Sequence, residues 1–152
     1  MIYIVFYIVI LLFTGCTKNL SSSDEIESFG SENSLDIITW NIENFPKHFE
    51  TIDYVSDFIV NLNVDIIVLQ EITNQNSFND LVNQLGGGWI GYRSDNSNYQ
   101  ELSYLINLDY VEITHSPYTI LDDYEHYFAY RPPYVVEVSF NEETFIIINV
   151  HY

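Results

Sequence analysis

Hydrophobic and polar positions in the first half of the folded region repeat in a pattern that predicts alternating strands and helices. Residues 35–40 form a short apolar run rich in β-branched side chains, which is typical of a buried strand. Residues 50–63 place apolar side chains at helical spacing, and 65–69 form a second apolar run without polar alternation. Another helical pattern covers 77–85, and Gly86 follows it as a C-terminal capping residue. The predicted order is β-α-β-α.

The pattern changes after the glycines 86–88, because strand-like runs then follow one another without helices. These runs are 89–92, 102–108, 110–114, 134–140 and 145–150. The polar residues 141–144 join the last two runs and predict a four-residue hairpin connection. Helices early and strands late in the chain indicate an α/β fold built as a layered sandwich.

The N-terminal segment has the pattern of a targeting sequence. Residues 1–13 are almost wholly apolar, and the small residues Thr14 and Gly15 precede Cys16. The run is shorter than a membrane-spanning helix, which needs about 20 residues, and it fits the core of a signal peptide. Small residues before a cysteine resemble the lipobox of bacterial lipoproteins. We therefore expect export to the bacterial cell envelope, with residues 1–15 removed and lipidated Cys16 as the membrane anchor.

An uncleaved N-terminal anchor is the alternative interpretation of the same segment. In both cases the rest of the chain lies outside the cytoplasm. Residues 16–34 are polar and rich in Ser and Glu, so they cannot bury enough surface to offset the entropy of ordering. They predict a flexible tether, and the folded domain is expected to cover 35–152.

Composition adds a strong negative charge to this picture. Only 4 Lys and Arg residues oppose 22 Asp and Glu residues, which gives a formal net charge of −18. Nucleic-acid binding usually depends on basic residues that neutralise phosphates, so a phosphodiester substrate would require a bound divalent metal. The alternative is that the acidic surface only keeps an exported protein soluble. The 47% hydrophobic content excludes a chain that is disordered along its whole length.

Polar side chains follow three of the predicted strands. Asn41 comes after the first apolar run, Glu71 after the second and His151 after the last. Catalytic groups are commonly placed at such strand ends. Glu71 could bind magnesium, Asn41 could hold a metal-bound water or a phosphate oxygen, and His151 could exchange protons near neutral pH. Arg131, in a Pro-rich segment, could pair with a phosphate.

Each of these residues also has a structural interpretation. Asn41 could form an Asx-turn, and Glu71 could cap a helix or lie on the surface. His151 could be a structural histidine. Arg131 could form a salt bridge with one of many nearby carboxylates. Residue type and position alone leave both interpretations open for all four residues.

The segments around these residues resemble motifs of the endonuclease/exonuclease/phosphatase superfamily, which includes deoxyribonucleases, sphingomyelinases and inositol polyphosphate phosphatases. The segments are ITWNIENF, DIIVLQEI, YRPPYVVEV and FIIINVHY, in this order. The resemblance covers 35–152. It implies a four-layered α/β sandwich of the deoxyribonuclease I type, of which this chain supplies the N-terminal part and leaves the C-terminal part incomplete.

The resemblance also implies a chemistry. Glu71 matches the glutamate that holds a divalent metal, usually Mg²⁺, and Asn41 matches the asparagine beside the metal and the phosphate. His151 matches the histidine of the deoxyribonuclease and sphingomyelinase branches, and Arg131 with its prolines is most similar to the deoxyribonuclease branch. We therefore expect in-line attack of water on a phosphodiester, with a nucleic acid as the leading substrate.

Two further motifs of the superfamily are not found in the sequence. They are a Gly-Asp-x-Asn segment and a C-terminal histidine held by an aspartate, which is the usual base. We therefore expect little or no activity from this chain by itself. Two other functions stay open, namely a lipid phosphodiesterase similar to sphingomyelinase and a surface lipoprotein without catalysis.

Overall fold

The computed structural model describes residues 28–96 and 99–151, which form two β-sheets and two α-helices. The elements are, in chain order, β1 (Ile37–Phe45), α1 (Thr51–Leu62), β2 (Ile66–Ile72), α2 (Gln75–Leu85), β3 (Trp89–Arg93), β4 (Glu101–Asn107), β5 (Glu112–Thr119), β6 (Tyr134–Phe140) and β7 (Glu143–Asn149). A 3₁₀-helical segment, Asp122–Phe128, lies between β5 and β6. The predicted order of helices and strands is confirmed.

The N-terminal predictions fall mostly outside this part of the chain. The predicted signal peptide and lipid anchor lie outside the described residues, and so does most of the predicted tether. At its C-terminal end the tether is bonded to the domain, because the amides of Phe29 and Gly30 donate to the Leu62 carbonyl at 2.9 and 3.0 Å. Two residues at the end of the predicted tether are therefore bonded to α1. Within the described ranges, no helix has the length and apolar character needed to cross a membrane.

The first sheet has four strands in the order β1-β2-β4-β3. β1 and β2 are parallel, and α1 supplies the crossover that a parallel pair requires. The other two pairings are antiparallel. Both helices pack against one face of this sheet. The buried side chains of this layer are Phe45, Val55, Ile59, Leu62, Val64, Ile67, Leu69, Ile72, Phe78, Leu81 and Leu105.

The second sheet has three antiparallel strands in the order β5-β6-β7 and packs on the opposite face of the first. Successive side chains of β2 point to opposite faces of the sheet, so this strand contributes to both hydrophobic cores. Ile67 and Leu69 face the helices, whereas Ile66 and Val68 face the second sheet. The buried side chains between the sheets are Ile66, Val68, Leu102, Tyr104, Ile106, Val111, Tyr134, Val136 and Val138.

The hairpin between β6 and β7 is shorter than the sequence predicts. Its loop consists of Asn141 and Glu142, because Glu143 and Thr144 already pair with residues of β6. Both loop residues have positive φ, 50° and 67°, as a two-residue hairpin of the I′ type requires. The prediction of a four-residue connection is wrong because this loop lacks the glycine that normally marks so tight a turn.

The layers therefore stack as helices, four-stranded sheet and three-stranded sheet. These are three of the layers of the predicted sandwich. On the outer face of the second sheet, Ile146 and Ile148 are 63% and 52% exposed. The C-terminal parts of β1 and β2 and the end of β7 meet at one edge of the stack, since Asn41, Glu71 and His151 are in contact there. β1 continues to Phe45, so Asn41 lies within the strand, whereas the sequence predicted it after the strand. This edge carries the candidate site.

Candidate active site

Irregular strand pairing at the ends of β1 and β2 creates the site. The register between β1 and β2 shifts between Asn41 and Phe45, and the register between β2 and β4 shifts between Leu69 and Ile72. Such bulges add residues to one strand and redirect side chains out of the regular alternation. Because Leu69 and Ile72 both face the helices, Glu71 is the residue that leaves the pattern.

The backbone at this edge is strained. Glu71 has φ +64°, and Glu43 and Asn44 opposite it have φ +38° and +57°. Residues with a Cβ occupy the left-handed region at an energetic cost, and such residues concentrate at functional sites. The main chain thus directs the Glu71 carboxylate to the place where β1 ends.

Asn41, Glu71 and His151 meet around one carboxylate oxygen. Asn41 Nδ2 donates to Glu71 Oε1 at 2.9 Å, and His151 Nε2 lies 3.5 Å from the same oxygen and 3.3 Å from Asn41 Nδ2. The side chains of His151 and Glu71 are 21% and 14% exposed. The three residues predicted at strand ends are therefore in mutual contact at a partly enclosed position.

The other Glu71 oxygen is held by different groups. Oε2 accepts from the Asn44 amide at 3.2 Å and from Gln100 Nε2 at 3.1 Å. Gln100 also donates to Asn44 Oδ1 at 2.7 Å. The carboxylate is consequently fixed in orientation, because Oε2 is bonded to Asn44 and Gln100 while Oε1 faces Asn41 and His151.

His151 is positioned by a buried polar seam between the two sheets. Asn149, the last residue of β7, is 1% exposed, and its Nδ2 donates to the Leu69 and Ser103 carbonyls at 2.8 and 3.2 Å. Its Oδ1 accepts from Gln70 Nε2 at 2.9 Å. These bonds attach the end of β7 to the end of β2. His151 comes two residues after Asn149 and therefore lies next to Glu71.

The environment lowers the pKa of His151 below its ordinary value. Burial of the imidazole is the main cause, the positive charge of Arg131 adds to it, and the negative charge of Glu71 opposes both. His151 Nδ1 is buried and has no hydrogen-bond partner among the described residues. The imidazole is therefore neutral near pH 7, with Nε2 facing the carboxylate.

Arg131 lies close to this cluster without touching Glu71. It is 9% exposed, and its Nη1 donates to Gln100 Oε1 at 2.9 Å. Within residues 28–96 and 99–151 it forms no salt bridge, and its buried Nε has no partner. A buried guanidinium with only a neutral partner is poorly compensated. It borders an open cavity of about 400 Å³ that Tyr99, Gln100 and Tyr130 also line.

The contacts agree with the structural interpretation of Asn41 and disagree with those of Glu71 as a helix cap and Arg131 as a salt-bridge partner. Asn41 does form an Asx-turn, since its Oδ1 accepts from the Glu43 amide at 2.9 Å, in addition to contacting Glu71. Glu71 is not a helix cap, because Asn74 caps α2 through a bond from the Ser77 amide. The predicted salt bridge of Arg131 is not formed within the described part of the chain.

Sequence reasoning missed Gln100, Asn44, Asn149 and Gln70. Their amides bond across separations of 29 to 80 residues. No spacing rule connects positions so far apart. A buried asparagine at the end of an apolar strand, as in FIIINV, was the one available signal.

The donor set fits a magnesium ion that retains much of its water. Mg²⁺ typically takes one or two protein carboxylates and fills its other octahedral positions with water and phosphate oxygens. Glu71 Oε1 supplies the carboxylate oxygen, and the Asn41 amide lies beside it. Among the described residues, no group of three or more His, Cys, Asp or Glu side chains is arranged to hold a metal. Glu71 would therefore be the principal ligand of the ion.

Comparison with known families agrees with this geometry. The sequence profile of the Endonuclease/Exonuclease/phosphatase family matches residues 38–144, which is more than half of the chain. The chain therefore belongs to this family, whose enzymes are of the phosphodiesterase and nuclease type and generally use divalent metals. Asn41, Glu71 and Arg131 lie inside the matched segment, and His151 lies beyond it. No curated protein sequence matches the chain.

Solved structures of TDP2 share the fold. D. rerio TDP2 humanized by 14 mutations superposes with a TM-score of 0.63 at 14% identity, over 75% of this chain and 45% of that one. D. rerio TDP2 complexed with single strand DNA product gives 0.62 at 13% identity, over 75% and 44%. Truncated Caenorhabditis elegans TDP2 gives 0.62 at 19%, over 77% and 45%. The chain thus spans less than half the length of these structures.

Proposed function

We propose that this protein is a divalent-metal-dependent phosphodiester hydrolase that acts on nucleic acid. The observation that carries the proposal is the contact of Glu71 Oε1 with both Asn41 and His151 at a strained strand end. Family membership supports phosphodiester chemistry. The TDP2 structure with single strand DNA product supports nucleic acid as the substrate class. The net charge of −18 supports a requirement for cations.

Four side chains of the site have separate roles in the proposed reaction. Glu71 Oε1 would hold the cation, and the Asn41 amide would orient a water or a phosphate oxygen next to it. When bound, the cation neutralises charge on the phosphate oxygens and polarises the phosphodiester. His151, neutral near pH 7, donates from Nε2 to a phosphate oxygen or the leaving group. Arg131 binds a further phosphate oxygen through its uncompensated guanidinium.

We further propose slow turnover by the 152-residue chain itself. The described part of the site contains one carboxylate and one histidine in contact, and no larger group of metal-binding side chains. General acid–base assistance contributes roughly 10²- to 10⁴-fold, so a site without a second proton-transfer group should be slower by about that factor. Binding of metal and phosphate should persist, because Glu71 and Arg131 are both present in the site.

The first test is Mn²⁺ binding, followed through the electron paramagnetic resonance signal of the free ion. The chain is purified in mild detergent because residues 1–13 are almost wholly apolar. Glu71→Gln removes the carboxylate with little change of shape and should weaken binding by more than the roughly 10- to 100-fold that loss of an orienting partner of a metal ligand causes. Glu143→Gln, an exposed position on β7, is the matched control and should bind as the wild type does. Equal Mn²⁺ affinity in wild type and Glu71→Gln contradicts the proposed metal site.

The second test separates the substrate classes. Single-stranded DNA, RNA and sphingomyelin are each incubated with the chain, with and without Mg²⁺. Slow, Mg²⁺-stimulated cleavage of nucleic acid that Glu71→Gln abolishes supports the proposal. Cleavage of sphingomyelin alone identifies a lipid phosphodiesterase instead. Metal binding without any cleavage identifies a surface protein that retains the fold without the reaction.

A further inference from the structure

Gln100 occupies the space between the two opposite charges of the site. It directly precedes β4, and its side-chain amide bonds to both charged groups at once. Its Nε2 donates to Glu71 Oε2 at 3.1 Å, and its Oε1 accepts from Arg131 Nη1 at 2.9 Å. The amide therefore connects the carboxylate and the guanidinium while separating them.

The orientation of this amide is determined by the chemistry of its partners. A guanidinium can only donate hydrogen bonds, so the Gln100 oxygen must face Arg131. An ionised carboxylate can only accept, so the Gln100 nitrogen must face Glu71. The second N–H of Gln100 donates to Asn44 Oδ1 at 2.7 Å, so both amide donors are used. The Gln100 side chain is locked in one position.

The separation matters because Arg131 and Glu71 would otherwise attract each other strongly. Arg131 is 9% exposed, and charges at low exposure are weakly screened by solvent. A direct salt bridge would satisfy both groups. It would also direct the carboxylate away from a cation and occupy the guanidinium that is left for a phosphate oxygen.

We propose that Gln100 is a positioning residue that prevents a direct salt bridge between Glu71 and Arg131 and so keeps both charges available to ligands. The inference rests on the proposed function for the identity of those ligands, a divalent cation and a phosphate oxygen. Gln100 itself contacts neither of them. It acts by fixing Oε2 of Glu71 and one nitrogen of Arg131.

Mn²⁺ binding by the full chain in mild detergent tests the inference. Gln100→Leu removes both hydrogen bonds at similar volume and should weaken Mn²⁺ binding about 10-fold, because Arg131 can then pair directly with the Glu71 carboxylate and compete with the ion. Adding Arg131→Met to Gln100→Leu removes the competing guanidinium. The double variant should then bind Mn²⁺ within about twofold of Arg131→Met alone, because the direct salt bridge can no longer form. Gln84→Leu is the matched control, since Gln84 lies on the exposed face of α2 and donates to the Asp53 carboxylate of α1.

A purely structural role of Gln100 makes the opposite prediction. In that case the double variant stays as weak as Gln100→Leu, and this result overturns the inference. Wild-type affinity in Gln100→Leu also overturns it. Restored binding in the double variant, with unchanged binding in Gln84→Leu, supports it.

Urea unfolding tests the same inference without any metal. The coupling between Glu71→Gln and Arg131→Met is measured by a double-mutant cycle, once with Gln100 present and once together with Gln100→Leu. If Gln100→Leu allows the direct salt bridge to form, the coupling between Glu71→Gln and Arg131→Met should be stronger in that background. The expected increase corresponds to about a tenfold change in the unfolding equilibrium constant. Unchanged or weaker coupling overturns the inference. If wild type binds no Mn²⁺, the proposed function fails, and this cycle still decides the role of Gln100.

Discussion

His151 shows how burial and neighbouring charges together set the chemistry of the site. Burial of the imidazole lowers its pKa most, the charge of Arg131 lowers the pKa further, and the charge of Glu71 raises it. Nε2 faces the Glu71 oxygen that we assign to the cation. A neutral imidazole at this place avoids repelling a divalent ion. The low pKa of His151 is therefore compatible with a metal at the adjacent carboxylate.

We expect an NMR titration in chelator-containing buffer to place the pKa of His151 below the ordinary value for histidine, about 6.5. The unfolded chain takes up the proton first as pH falls, so the contribution of His151 to stability is complete above about pH 6.5 and is lost as pH falls through the folded-state pKa. Arg131→Met should raise the pKa of His151, and Glu71→Gln should lower it further. A rise in the pKa of His151 in the Glu71→Gln variant would show that these charges do not control the protonation of the imidazole.

At the scale of the elements, the site depends on how the two sheets are joined. Asn149 bonds to the Leu69 and Ser103 carbonyls, and its own amide donates to the Tyr104 hydroxyl at 3.1 Å. That hydroxyl lies within hydrogen-bond distance of the Tyr134 and Ile147 carbonyls, which share its one proton. The polar seam therefore connects β2, β4, β6 and β7. It fixes the register in which β7 delivers His151.

Asn149→Leu should lower the free energy of unfolding by about 1–3 kcal/mol, because it leaves buried carbonyls without donors. The cross-peaks of His151 should also shift in NMR spectra, because β7 is no longer attached to β2 at its end. Asn83→Leu, on the exposed face of α2, is the control and should change stability by less than about 0.5 kcal/mol. Urea unfolding measures both variants. Equal stability of Asn149→Leu and wild type would show that the polar seam does not hold β7 in place against β2.

The sequence predicts the elements well where periodicity is strong. The apolar run before Glu71 and the helical spacing of α1 predict their elements to within a few residues. The site is predictable only in part. Asn41, Glu71 and His151 can be found because each comes after an apolar run of the sequence, although β1 and β2 extend past those runs and contain Asn41 and Glu71. Gln100, by contrast, lies in a polar segment without any pattern. Its role depends on bulges and left-handed residues that sequence periodicity does not record.

At the scale of the whole molecule, charge dominates the approach of any nucleic acid. The formal net charge is −18, and 4 basic residues oppose 22 acidic ones. Most nucleic-acid-binding proteins lose affinity as salt rises, because they release counterions from phosphates. An acidic protein should instead benefit from screening. The few cations that are uncompensated, such as Arg131, act only at short range.

The affinity for a labelled single-stranded oligonucleotide should accordingly rise when NaCl increases from about 10 to about 150 mM, as the Debye length falls from about 30 to about 8 Å. Mg²⁺ at equal ionic strength should raise the affinity further, since we propose that the ion binds at Glu71. Fluorescence anisotropy measures both effects, and Glu71→Gln should lose only the second. A steep fall of affinity with NaCl would point to a basic binding surface and contradict the expectation.

The left-handed backbone of Glu71 has a consequence for engineering this protein. Glycine and asparagine tolerate φ +64° better than glutamate does, so Glu71→Gly and Glu71→Asn relieve a conformational penalty. A library ranked by melting temperature would therefore enrich such changes, while the same library ranked by retained Mn²⁺ would discard them. Thermostabilisation of this fold should hold position 71 fixed and search the helices, where no such conflict exists.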